Sequence, residues 1–74
     1  MMIKAEAIEI IGYLRQALDA LDSAAIVVEK IEDQSQKDSL KVTIATVIGS
    51  IVADAICPIE HLYPELDPYK DEDV

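Results

Sequence analysis

The apolar residues of the N-terminal half recur with alternating spacings of four and three residues. They are Ile3, Ala7, Ile10, Leu14, Ala17, Leu21, Ala24, Val28 and Ile31. This heptad spacing predicts one amphipathic helix over residues 3–32. Further apolar residues widen its face on both sides, namely Ile11, Leu18 and Ala25 on one side and Tyr13, Ala20 and Val27 on the other. A two-stranded coiled coil needs a narrower face, so this width favours a four-helix bundle.

The second half contains an uncharged run of twelve residues, from Val42 to Ala53. After Ile44 its apolar residues follow a 3.6-residue period, which predicts a second helix over residues 37–57. Its main apolar face comprises Ile44, Val47, Ile48, Ile51, Val52, Ala55 and Ile56. A ridge of small residues should let another helix approach closely, and its members are Ala45, Gly49 and Ala53. The β-branched stretch 40–47 would also suit a strand, but the chain offers no strand to pair with it.

Short polar and proline-containing segments separate these elements. Residues 33–36 predict a tight turn, and Ser35 with Asp38 resembles the capping box that begins a helix. A turn this short joins antiparallel helices. Pro58 is expected to end the second helix or to start a new turn, because proline interrupts the hydrogen-bond ladder but is tolerated at a first helical position. Residues 58–69 should then form a short helix or extended cap over the open end of the hairpin, using Ile59, Leu62, Tyr63, Leu66 and Tyr69.

The chain is too small to cover this much apolar surface alone. Its 74 residues form one domain, and Cys57, the only cysteine, rules out an intrachain disulfide. A structural zinc site within one chain is disfavoured for lack of ligands. We therefore predict an all-α antiparallel helical hairpin that assembles as a homodimeric four-helix bundle. The predicted interface residues are Leu14, Leu18, Leu21, Ile44, Ala45, Val47, Ile48, Gly49, Ile51, Val52 and Ala53.

The charge balance narrows the range of partners. Fifteen acidic residues against six basic ones give a net charge of −9, which disfavours nucleic acid and anionic membrane surfaces. The N-terminus carries carboxylates where a secretory signal would be apolar. The uncharged run is also shorter than the roughly 18 apolar residues of a membrane span. These observations predict a cytoplasmic protein without a leader or membrane span, and a disordered acidic tail at residues 70–74.

Asp54, Cys57 and His61 are the candidates for a chemical site. Spacings of three and four residues would place them on one side of an unbroken helix. Carboxylate, thiolate and imidazole are also ligands for zinc or iron. Pro58 lies between them, however, and cysteine is commonly buried as a small apolar residue. We therefore favour a helix-end carboxylate, a packed cysteine and a surface histidine, and we predict no metal, cofactor or catalytic residue.

Two short patterns resemble enzyme families. The Glu-x-x-Glu pairs at residues 6–9 and 29–32 resemble the acidic motifs that hold Mg²⁺ in all-α nucleotide pyrophosphatases related to MazG. Here both pairs lie on the first helix, about 30 Å apart. Residues 14–26 resemble the first helix of the all-helical chorismate mutases, in which the arginine at the position of Arg15 binds a substrate carboxylate. Arg15 is the only arginine in the chain, so the other cationic residues of such a site have no counterpart.

None of these patterns identifies an enzymatic activity. We therefore predict a non-enzymatic protein–protein interaction module of the adaptor, regulator or immunity type, acting as a homo-oligomer. A metal-binding or enzymatic bundle with a site across the dimer is one alternative. Another is an acidic mimic of nucleic acid that blocks a basic partner. The C-terminal residues Asp71–Val74 also have the acidic and hydrophobic ending that some PDZ grooves bind.

Overall fold

The computed structural model describes residues 1–67, which form a helical hairpin with no strand in that range. α1 spans Lys4–Val28 and α2 spans Gln34–Ser50. A π-helical segment, Ile51–Ile56, continues α2 into α3, Cys57–Leu62. A 3₁₀ turn, Pro64–Leu66, follows. The all-α class is confirmed, and the β-branched stretch that could have formed a strand is helical.

α1 begins close to its predicted start but ends before residue 32. Its first turn is capped by Glu6, whose carboxylate accepts a hydrogen bond from the Ile3 backbone N–H at 2.9 Å. At the other end, the N–H groups of Lys30 and Ile31 donate at 3.0 Å to carbonyls three residues back instead of four. This tightening closes the helix ahead of the polar turn.

α2 begins earlier than predicted, because Asp33 caps it and Ser35 does not. The Asp33 carboxylate accepts a hydrogen bond from the Gln36 backbone N–H at 2.9 Å. This bond satisfies one of the N–H groups that the first turn of a helix leaves free. The turn therefore occupies residues 29–33 in place of the predicted 33–36.

Pro58 does not end the helix and lies instead in the first turn of α3, as the second alternative allowed. The six residues before Cys57 adopt the wider π conformation, in which the Cys57 N–H donates to the Val52 carbonyl five residues back. A proline ring in a regular α-helix clashes with the carbonyl four residues before it. The wider turn relieves this clash, so one continuous helix, Gln34–Leu62, crosses the expected break.

α1 and α2 pack side by side over a thin apolar contact. The buried apolar residues of the described chain are Ala7, Ile11, Val28 and Ile56. A second set is half-buried: Leu14, Leu18, Leu21, Ala25, Ile44, Ile48, Ile51 and Ala55. The face of α1 turned towards α2 therefore repeats every seven residues, at Ala7, Leu14, Leu21 and Val28.

The segment after Pro58 folds back onto the start of α1, as the sequence predicts for the open end. The Tyr63 hydroxyl donates to the Met2 carbonyl at 2.8 Å, and Lys4 pairs with Glu65 at 3.0 Å. These contacts tie the two chain ends of the hairpin together.

The segment after Pro58 covers less of the open end of the hairpin than the sequence predicts. Ile59, Tyr63 and Leu66 are half-buried, but Leu62 points to solvent and is 68% exposed. Tyr69 and the acidic tail lie outside the described residues, and so does the predicted PDZ-binding ending.

The hairpin is more extended than a compact domain of its size. Its radius of gyration is 15.3 Å, against about 11 Å for a compact chain of this length. Its accessible surface is 5586 Å², against about 4,500 Å² for a compact monomer of this mass. The single chain thus leaves roughly 1,000 Å² more surface in water than a compact fold would.

Candidate interaction surface

More large apolar side chains lie on the surface of the described chain than inside it. Four apolar residues are buried in residues 1–67, whereas twelve large apolar side chains are exposed. The exposed set is Met1, Ile3, Ile8, Ile10, Tyr13, Ile26, Val27, Leu40, Val42, Val47, Val52 and Leu62. Single exposed apolar residues are common in soluble proteins, but contiguous ones mark an interaction site. Two exposed rows occur here: one on α1 that includes large apolar side chains, and one on α2 that consists of small residues.

The first row, which we name the outer seam, lies on the part of α1 that α2 leaves uncovered. It comprises Ile10, Tyr13, Ala17, Ala20, Ala24 and Val27, of which Ala17 is half-buried and the other five are exposed. Its large members Ile10, Tyr13 and Val27 are 41%, 70% and 60% exposed. The spacing along the seam alternates three and four residues, which is the pattern of a helix that packs against one further helix.

Leu40 and Val47 of α2 extend this surface, and they are 44% and 41% exposed. At about 100° of rotation per residue, they lie within about 20° of each other and about 100° or more from Lys41. Lys41 marks the opposite surface of the hairpin, because it pairs with Glu29 of α1 at 2.9 Å. By the same rotation Val27 lies about 160° from Glu29. The outer seam, Leu40 and Val47 therefore share one surface, opposite the ion pair.

The second row is the small-residue ridge of α2, which faces away from α1. Ala45, Gly49 and Ala53 are exposed, and a Cβ added at Gly49 would meet no atom within 4 Å. The hydroxyls of Thr43 and Thr46 donate to carbonyls four residues earlier, at 3.0 and 2.8 Å. This internal pairing allows that side of the helix to be buried without leaving the hydroxyls unsatisfied. The ridge is not the crossing between the two helices of one chain.

The predicted interface residues divide into two groups. One group is half-buried within the hairpin itself: Leu14, Leu18, Leu21, Ile44, Ile48 and Ile51. The other group is exposed: Ala45, Val47, Gly49, Val52 and Ala53. The prediction did not include the exposed members of the outer seam. The seven-residue period could have separated the inner face of α1 from the outer seam. Ala7, Leu14, Leu21 and Val28 occupy one heptad position, and Ile10, Ala17 and Ala24 occupy another.

The structure brings together two of the three candidate metal ligands. Cys57 and His61 line an open surface cavity of about 450 Å³. Its other lining residues are Glu60, Pro64 and Asp67. Asp54 is not among them, and its carboxylate accepts a hydrogen bond from Ser50 at 3.2 Å. Cys57 is exposed, not packed as expected, and no three metal-ligating side chains of residues 1–67 lie close enough to hold an ion.

Arg15 and Glu29, one residue from each enzyme resemblance, form ion pairs within the hairpin. Arg15 donates to Glu60 at 3.0 Å. Glu29 pairs with Lys41 at 2.9 Å and lies 3.8 Å from Lys37. The hydrogen bond from Lys41 and its positive charge lower the pKa of Glu29, and the pKa of Lys41 is raised in return. These contacts link α1 to α2 and α3.

The continuous helix Gln34–Leu62 has the length and composition of a membrane-spanning helix. It has 29 residues, its most apolar window has a mean hydropathy of 2.0, and only 6% of that window is buried in the hairpin. The sequence predicted no membrane span because the uncharged run has only twelve residues. In the structure the helix continues through Asp54 and Pro58 and is therefore longer than that run.

No protein-family model matches this chain, and no similar curated protein or solved structure was found.

Proposed function

We propose that this protein is a small non-enzymatic interaction module that works as a homodimer, in which two hairpins form a four-helix bundle. The observation that supports the proposal is the imbalance between four buried apolar residues and twelve exposed large ones in residues 1–67. A hairpin with so thin a core gains most of its stability when a second copy covers the exposed rows.

The exposed area is of the size that a dimer requires. A stable protein interface buries about 800 Å² on each partner. The excess surface of the single hairpin, roughly 1,000 Å², is comparable. The surface shared by the outer seam, Leu40 and Val47 has the width of two helices, which suits a second hairpin better than an extended peptide.

The test is a measurement of mass against concentration by light scattering and sedimentation equilibrium. We expect twice the 8.1 kDa of one chain at micromolar concentration. Ala20→Glu would place a carboxylate in the outer seam and should shift the protein to monomer while helicity remains. Ala5→Glu, at an exposed alanine of the same helix, is the matched control. A wild-type chain that remains a compact monomer contradicts the proposal.

A membrane-embedded helix is the second candidate, and the composition and low burial of Gln34–Leu62 favour it. Asp54 lies inside this helix, and an aspartate at the bilayer centre costs about 2.5–3.5 kcal/mol. The dimer proposal keeps the chain in the aqueous cytoplasm. Fractionation of cells that express the untagged chain separates the two candidates, because the dimer remains in the soluble fraction and a spanning helix resists alkaline extraction from membranes.

A further inference from the structure

We infer that the second copy docks antiparallel on the outer seam, α1 against α1, with the two-fold axis passing between Ala17 and Ala20. This inference rests on the proposed self-association and specifies its geometry. It names which of the two exposed rows forms the contact between copies and which direction the second copy takes.

The spacing of the seam reads the same in both directions. Its six positions are separated by 3, 4, 3, 4 and 3 residues. An antiparallel copy therefore places every seam residue opposite another seam residue, as an isologous two-fold interface requires. Tyr13, the largest member, then faces Ala24, and Ala17 faces Ala20. Ile10 faces Val27. The bulkiest side chain of the seam therefore meets a small one, and no layer holds two tyrosines.

Charge selects the same orientation. One flank of the seam is closed by the rest of the hairpin. The open flank of α1 carries Glu9, Gln16 and Ser23 at seven-residue spacing, and Lys30 continues that spacing in the turn just beyond the end of α1. In antiparallel helix pairs such flanking positions face each other. Lys30 of one copy then lies beside Glu9 of the other, and Gln16 lies beside Ser23.

Lys30 forms no ion pair within residues 1–67. The cations Lys4, Arg15, Lys37 and Lys41 each pair with a carboxylate. Lys30 is the remaining lysine of residues 1–67, and no carboxylate of the described chain pairs with it. Two Lys30–Glu9 pairs, related by the two-fold axis, would complete the ion pairing of the dimer.

A parallel arrangement lacks both features. It would place Tyr13 against Tyr13, which crowds two aromatic rings into one layer, and Ala24 against Ala24, which leaves another layer thinly filled. It would also set Lys30 at the same height as Lys30 of the other copy, about 30 Å along the axis from either Glu9. The antiparallel dimer fits both the sizes and the charges of the seam.

Distances between spin labels test the orientation directly. Cys57→Ser removes the native thiol, and Ala5→Cys then provides one label site on an exposed position of α1. The antiparallel dimer predicts about 40 Å between the labels, from 1.5 Å of rise per residue. A distance of about 10–15 Å, as for parallel neighbouring helices, overturns the inference and leaves self-association intact. A monomer under the same conditions overturns the proposed function as well.

Charge exchange provides a second readout. Lys30→Glu and Glu9→Lys should each weaken the dimer about tenfold, because each replaces two attractive contacts by repulsive ones. The double variant E9K/K30E restores both pairs and should regain wild-type affinity. Glu32→Gln, at an exposed residue beyond the seam, is the control. A double variant as weak as the single ones contradicts the assigned register.

Discussion

The two sides of α1 carry similar residues and have different surroundings. Ile10 and Ile11 are adjacent isoleucines, yet Ile10 is 41% exposed on the outer seam and Ile11 is 6% exposed, inside the hairpin. About 100° of helix rotation separates them. Composition cannot decide which of the two is inside, because the choice depends on how α1 is rotated against its partner helix. An apolar face too wide for one partner therefore indicates a second partner.

The largest expected effect compares these two neighbours. Ile11→Ala leaves a cavity inside the hairpin and should reduce the free energy of unfolding by about 2–5 kcal/mol. Ile10→Ala should lower it by less than about 1 kcal/mol in dilute solution, where the seam is uncovered, and should weaken self-association instead. Urea unfolding followed by circular dichroism gives the first quantity, and light scattering gives the second. Equal losses of stability for both variants would contradict the distinction between the two sides.

The sequence predicted the elements of this hairpin better than their rotation. Two long helices and a tight polar turn follow from the periodicity of the apolar residues. The passage of the helix through Pro58 could not be predicted, because the π turn that accommodates proline is a local adjustment without a residue signature of its own. The cap was assigned to Ser35 and lies at Asp33, since both residue types favour that position. The split between inner and outer faces depends on tertiary packing.

The contacts of the segment after α3 with the first residues of the chain also stabilise the hairpin. A change at Tyr63 measures how much one of them contributes to the free energy of unfolding. Tyr63→Phe removes the 2.8 Å hydrogen bond to the Met2 carbonyl and should cost about 0.5–1.5 kcal/mol. Tyr13→Phe is the matched control, because the Tyr13 side chain is 70% exposed and its hydroxyl has no partner in the described chain. Thermal unfolding at one fixed concentration compares them. A loss at Tyr13 as large as at Tyr63 would assign the effect to the seam.

The two glycines sharpen the comparison on the outer sides of both helices. A Cβ at Gly12 or at Gly49 meets no atom within 4 Å, so each change to alanine should stabilise the single hairpin by about 0.5–1 kcal/mol. Gly49→Leu should likewise leave self-association unchanged if the outer seam carries it. The sequence prediction placed the closest helix crossing at Gly49. Light scattering of G49A, G49L and G12A decides whether the outer seam or the small-residue ridge carries self-association. A dimer weakened only by the changes at Gly49 would move the contact to the ridge.

The smallest effect concerns the ion pair that marks the surface opposite the outer seam. The hydrogen bond and charge of Lys41 lower the pKa of Glu29 from its ordinary 4.5, so this carboxylate stabilises the fold at pH above that value. The contribution is lost as the pH falls through the lowered pKa. On the alkaline side it persists beyond 10.5, because the pKa of Lys41 is raised. Glu29→Gln should therefore lower the Tm slightly at neutral pH, and the difference from wild type should disappear at an acid pH below the lowered pKa of Glu29. Glu32→Gln, which removes an exposed carboxylate of the same turn, should show no such closing difference. If the Tm difference for E29Q were the same at both pH values, it would come from helix propensity and not from the pair.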